Sequence, residues 1–126
     1  MPEAAYVDSA ESLSRVLKSA VVDRATADDH IIFATPVGKG WQIHAIWLQS
    51  VGGQSFILKS EGTDLTGDID MVAPSANIGN NSIFHLPTSV VPHFRSVAAG
   101  DDIILTLSQA IQVNGWIQYV LTEQIT

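Results

Sequence analysis

From Ile111 to Thr122 apolar and polar residues alternate almost without a break. Ile111, Val113, Gly115, Ile117, Tyr119 and Leu121 fall on one parity, and Gln112, Asn114, Trp116, Gln118, Val120 and Thr122 on the other. Successive side chains leave a strand on opposite faces, so a period of two over this length predicts a half-buried β-strand. Asp101 to Ser108 repeats the pattern with Ile103, Leu105 and Leu107.

The same reading predicts seven further strands upstream. Lys18 to Arg24 is marked by the β-branched pair Val21 and Val22. His30 to Thr35 is apolar on both parities, which predicts burial on both sides. In Trp41 to Val51, Trp41, Ile43, Ala45 and Trp47 share one parity, and Ile46 and Leu48 share the other with Gln42 and His44. Gly52-Gly53 has the composition of a two-residue hairpin connection and predicts that this strand pairs with Gln54 to Glu61. Gly62 to Gly67 reads as a loop, Asp68 to Val72 as a short strand, and Pro74 to Asn81 as a longer loop. Ser82 to Leu86 and His93 to Val97 flank Pro87 and Pro92, which suits sheet edges because proline cannot donate to a ladder. Ala98 to Asp101 turns the chain into the last two strands.

Strands at this spacing, without a helix in the body, predict an all-β fold: an antiparallel β-sandwich of eight or nine strands, with jelly-roll topology preferred because the strands and connections vary widely in length. Residues 17–126 form this single domain, and residues 1–16 an N-terminal arm or short helix. Asp8 and Glu11 are spaced like a capping box, with Ala10, Leu13 and Leu17 at helical intervals. The arm is preferred, since so few apolar residues do not hold a helix without a neighbour.

Composition changes the picture at the surface. The 126 residues carry a formal net charge of −7, which argues against a phosphate backbone as partner and so against nucleic acid. Of the 19 charged residues, nine lie in the first 29 positions, leaving ten among the other 97. That is about a tenth, against roughly a quarter in an ordinary domain. Outward positions are therefore filled by amides, hydroxyls and apolar groups, as in interface cores. Trp116, on the parity of Gln112 and Gln118, is the odd residue there. These three, with Tyr6 and Leu13 of the arm, are the candidate interface. No cysteine is present, so disulfides and thiolate metal sites are excluded. No basic leader precedes an apolar run, and no apolar stretch approaches the ~20 residues of a membrane helix, so a soluble protein with no membrane partner is expected.

The body also resembles a group of small tailed-bacteriophage proteins. The likeness lies in Leu58-Lys59-Ser60, Thr63-Asp64-Leu65-Thr66-Gly67-Asp68-Ile69, the run His93 to Ile103 with Phe94 and Ala99-Gly100, and the closing run Leu107 to Tyr119 with Val113, Gly115 and Tyr119. It spans about Lys18 to Glu123, and Pro74 to Pro92 departs from it by being longer than the group's usual connection. The resemblance implies a structural virion protein, a capsid cement or decoration subunit on the capsid exterior, assembled in the host cytoplasm. It implies a homotrimer whose partner is the major capsid protein. The alternative is a tail or fibre module binding a host glycan, with Trp41, Trp47 or Trp116 as the stacking platform.

Chemical sites are weak in the sequence. Asp64, Asp68 and Asp70 lack the dense alternation of a calcium loop. His30, His44, His85 and His93 are scattered over different strands and read as surface or rim residues. No Gly-x-Ser-x-Gly elbow supports a catalytic serine. Asp28-Asp29 and Asp101-Asp102 read as turn residues and strand-end charges that discourage edge pairing. Gly115 reads as a bulge or a close backbone approach. No cofactor, metal or enzymatic activity is expected.

Overall fold

The computed structural model describes residues 16–71 and 82–123, and among them ten strands. They are β1 (Lys18–Arg24), β2 (Asp29–Phe33), β3 (Lys39–Ser50), β4 (Gln54–Ser60), β5 (Thr63–Asp64), β6 (Ile69–Met71), β7 (Ser82–Leu86), β8 (Phe94–Arg95), β9 (Ile103–Leu107) and β10 (Val113–Glu123). One sheet runs β1-β10-β3-β7, with β8 continuing the β7 edge along β3. The other runs β2-β9-β4-β5, with β6 continuing the β5 edge along β4. Every pairing is antiparallel. The ten strands thus fill eight ladder positions, four in each sheet, in the order of a jelly roll. The expected N-terminal arm but for Val16, and all of the expected loop at Pro74 to Asn81, lie outside the described residues.

The core lies between the sheets. Val22, Trp41, Ile43, Ile46, Leu48, Val113 and Ile117 from the first sheet meet Phe56, Leu58, Ile103, Leu105 and Leu107 from the second. Each such side chain contributes about 1.5–3 kcal/mol by leaving water. Two aromatic contacts cross the layer: Phe33 and Tyr119, with ring centroids 4.5 Å apart, and Phe56 and Phe84, edge to face at 5.1 Å. Tyr119 therefore packs in the core as its parity predicts, and burial pushes its hydroxyl pKa up.

Gly52-Gly53 does not make the expected hairpin. β3 and β4 belong to different sheets, and the glycines form an arch that carries the chain across the sandwich. Ser50 Oγ donates to Gly52 O (2.6 Å), Val51 N donates to Gln112 O (3.2 Å), and Gln54 Nε2 donates to Ile111 O (2.7 Å), so the arch is tied to the segment entering β10. An arch and a hairpin need the same tight, glycine-rich reversal. Which one forms is decided by where the two strands find partners. The hairpin that does form joins β4 to β5 through Glu61-Gly62, with β5 itself falling in the Gly62 to Gly67 region expected to be a loop. Glu61 adopts φ 52°, held by two hydrogen bonds with Asp102: its N–H donates to Asp102 O, and its Oε1 accepts from Asp102 N.

β3 also departs from strict alternation. Against β10, Gln118 pairs with Ala45 and Tyr119 with Ile43, leaving His44 unpaired in a bulge. Trp41 and Ile43 face the core before it, Ile46 and Leu48 after it, and Ala45 and Trp47 lie outside the core cluster. The single parity expected for Trp41, Ile43, Ala45 and Trp47 is thereby split. His44 is fully buried rather than at the rim, with Nδ1 2.7 Å from Ser89 O. A carbonyl only accepts, so Nδ1 carries the proton. β2 is likewise not buried on both sides: it is an edge strand, and Ile31 is 52% exposed.

Asp101 and Asp102 act as ties rather than as charges that repel other edges. Asp101 Oδ2 accepts from Ser60 Oγ (2.7 Å) and Ala98 N (3.1 Å), and Asp101 O accepts the Trp41 indole N–H (2.8 Å). Asp102 Oδ1 accepts from Thr35 N (2.8 Å). Together they hold the ends of β3, β4 and β9 to the loops around them.

Candidate docking face

The bulge at His44 decides what the outside of the first sheet presents. In register across four strands, Val21 of β1 lies opposite Trp116 of β10, Trp116 opposite Trp47 of β3, and Trp47 opposite His85 of β7. Both indoles are half-buried, His85 is exposed, and Val21 is 72% exposed. The next row on the same face is Asp23, Asn114, Gln49 and Ile83, and on the other side Ser19, Gln118 and Ala45. Ile83 is also exposed, which extends the apolar strip toward the β7 edge.

The two tryptophans are neighbours because Gly115 lets their strands approach. Its φ is 153°, and a Cβ placed there would overlap the Trp47 carbonyl oxygen and come within 3.0 Å of Leu48 Cα. Of the two readings of this glycine, a bulge or a close approach, the structure has the close approach; the bulge sits at His44 on the facing strand.

The face is nearly free of net charge. Among the outward positions of β1, β10, β3, β7 and β8, only Asp23 and Arg95 are charged, and the register sets them at opposite corners. Asp23 is capped: Gln112 Nε2 donates to its Oδ1 (2.6 Å) and to Asn114 Oδ1 (2.8 Å). Gln118 Oε1 accepts from Thr88 Oγ1 (3.2 Å). Wide aromatic rings bordered by neutral amides, several of them already paired within the face, suit contact with another apolar or planar surface, where no charge has to leave water.

Of the residues predicted from sequence, the structure brings Trp116, Gln112 and Gln118 to this one face. Gln112 contributes as the cap of Asp23 rather than as a free contact. Tyr6 and Leu13 lie outside the described residues. Trp47 was expected only as a stacking platform under the glycan alternative and His85 only as a surface or rim histidine, and Val21 and Ile83 were not named as contacts. Exposed aliphatic residues in β1 and β7 were legible as alternation, but Trp47 was hidden by the bulge. Trp41 is fully buried, its indole N–H spent on Asp101 O, so it offers no stacking surface.

Elsewhere the described residues contain no group of three or more His, Asp or Glu side chains placed to hold a metal, and Asp64 is engaged with Lys59 instead. Two shallow depressions, one lined by Thr26 to His30 with Thr106 and one by Gly53 to Ser55 with Asp70, Met71, Ser108 and Gln109, lie away from the tryptophans. Among the described residues no helix is long and apolar enough to cross a membrane. No family model matches the chain, and no curated protein matches it.

Proposed function

We propose that the chain is a structural virion protein of a tailed phage, a capsid cement or decoration subunit that binds the major capsid protein on the particle's exterior and does so as an oligomer. The observation that carries this reading is the charge-poor outward face with Trp47 and Trp116 side by side across β3 and β10. Paired tryptophans at the centre of a face are the residues most often found to anchor an interface, because a large ring leaves water while losing little side-chain freedom. A jelly roll with tied strand ends supplies a rigid mount for them. Several copies linked to one another and to the coat lattice convert modest single contacts into durable attachment, since all must release together. The resemblance adds the expectation of a homotrimer.

The test is the thermal stability of the particle. Virions lacking this protein are expected to release DNA at a lower temperature, and adding the purified protein back restores the original value. Unchanged release in its absence would sink the clamp.

The adjacent indoles also favour a second reading, a tail or fibre module whose Trp47 and Trp116 stack on a host glycan. Binding to a glycan array that is lost in Trp116→Ala, with no binding to capsids, would select it.

A further inference from the structure

The two sheets have four lateral edges, and three of them are blunted. β2 carries a register shift between Ile31 and Phe33, and the Arg24 guanidinium donates to the Ile31 carbonyl (3.2 Å). The edge opposite it is broken into β5 and β6, of two and three residues. In the other sheet, β7 and β8 are separated by a segment holding Pro87 and Pro92. Short pieces, bulges, prolines and covering side chains are how sheet proteins prevent strand addition.

Among the described residues β1 has none of these four devices, and its charged residues, Lys18, Asp23 and Arg24, lie toward its ends. Its seven residues pair with β10 in unbroken register, contain neither proline nor glycine, and carry the highly exposed Val21 at their midpoint. Among the described residues no strand pairs with its other side. Every second residue of β1 therefore offers a backbone N–H and C=O to an incoming strand.

We infer that β1 is a self-pairing edge, joining two copies of this chain antiparallel about a two-fold axis at Val21. The occupant is argued from the strand's own sequence. Centred on Val21, the pairing sets Val21 against itself, Ala20 against Val22 on the core side, and Ser19 against Asp23 on the outward side, where a hydroxyl can donate to a carboxylate. The unfavourable pair, Lys18 opposite Arg24, falls at the strand ends, where Arg24 is already turned onto the carbonyls of Asp23 and Ile31. The contact is isologous and closes on itself, so it gives a dimer rather than a growing fibre. It also doubles the outward row into His85, Trp47, Trp116 and Val21 followed by the same four residues in reverse. The inference does not depend on the capsid reading, and it puts a two-fold contact where the resemblance implies a three-fold one.

Sedimentation of the full chain at micromolar concentration tests it. The expected mass is twice 13.5 kDa, and Val21→Lys, which sets two like charges face to face, returns it to 13.5 kDa with the melting temperature of the isolated domain kept. Because the chain has no cysteine, Val21→Cys supplies a single thiol that is expected to cross-link the pair on mild oxidation. Val37→Cys, on an exposed turn outside β1, serves as the control that does not. A monomeric or trimeric natural chain, a Val21→Lys dimer as stable as the original, or cross-linking no faster at 21 than at 37 would each overturn the inference. A dimer without affinity for any phage shell would instead overturn the proposed function and leave this contact standing, and a capsid-binding trimer would do the reverse.

Discussion

On the outside of the β2-β9-β4-β5 sheet, the row Ile31, Ile104, Lys59 and Asp64 crosses four strands, as Val21, Trp116, Trp47 and His85 do on the other sheet. There the resemblance ends. Lys59 lies between Asp29 (3.5 Å) and Asp64 (3.9 Å) with its side chain only 19% exposed. Ile104, which points outward and lies outside the core cluster, is nonetheless 94% buried, with Ile31 and the long side chain of Lys59 in register on either side of it. This face covers Ile104 and sets Lys59 between two carboxylates, although Ile31 at its edge stays 52% exposed. The tryptophan face has little charge to neutralise and leaves its rings half open. A long charged side chain shields apolar area without inviting a partner, whereas flat aromatic rings leave area that only another surface can cover. The difference teaches which side of this sandwich is finished and which is not.

Gly115→Ala should break the comparison most severely. The added methyl meets backbone, which cannot move aside as a side-chain end does, so β10 must part from β3 beneath the indoles. A loss of about 3 kcal/mol or more is expected, read as a large drop in the melting temperature or failure to fold. A melting temperature within a degree or two of the original would mean that the strand approach does not set the tryptophan row.

Next in size is Trp47→Ala combined with Trp116→Ala. Under the proposed function, attachment to particles weakens by at least about 2 kcal/mol, roughly 30-fold in Kd, while the fold survives. Co-sedimentation with capsids measures the first effect, and circular dichroism the second. Equal affinity would show that the open face is not the docking face.

On the finished side, Lys59→Ala should cost about 1 kcal/mol in denaturant unfolding, chiefly through exposure of Ile104 and less through the two ion pairs, which are short of solvent protection. Lys59→Met, which keeps the stem and drops the charge, should recover most of it. If the methionine variant were as unstable as the alanine one, the charge rather than the cover would matter.

The smallest effect concerns pH. The Thr106 hydroxyl donates to Asp29 Oδ1 (2.6 Å) and, with Lys59, holds the Asp29 carboxyl below its ordinary pKa, against the opposing effect of desolvation. A carboxyl depressed on folding stabilises the protein at pH values above its unfolded pKa, and that contribution disappears as the pH falls through the folded value. Thr106→Val should therefore raise the Asp29 midpoint in an NMR titration and flatten the acid limb of the stability curve slightly. An unmoved midpoint would remove the hydroxyl as the cause.

Much of this architecture was legible in the chain, and the misreadings have definite causes. Nine expected strands correspond to nine of the ten found; the two-residue β5 was missed because Glu61, not a glycine, takes the left-handed turn position, held there by Asp102 from far along the chain. The arch at Gly52-Gly53 was mistaken for a hairpin because glycine reports a reversal and not the sheet to which the next strand belongs. Three of the five candidate interface residues do lie on one face, yet Trp47, their most important neighbour, was placed on one parity with Trp41 and Ile43, which the structure buries. One extra residue at His44 shifts the phase of every side chain beyond it, and no local pattern marks that residue as extra.

Alternation, turn residues and charge depletion are properties of neighbouring positions, so the sequence by itself determined the all-β class, most strand positions, the core parity of β10 and the charge-poor character of the body. Sheet membership, the bulge, the polar ties of Asp101 and Asp102, and the meeting of Trp47 with Trp116 depend on residues distant in the chain competing for the same partners. Only the closed sandwich resolves that competition, because hydrogen-bond ladders and buried faces must be satisfied everywhere at once.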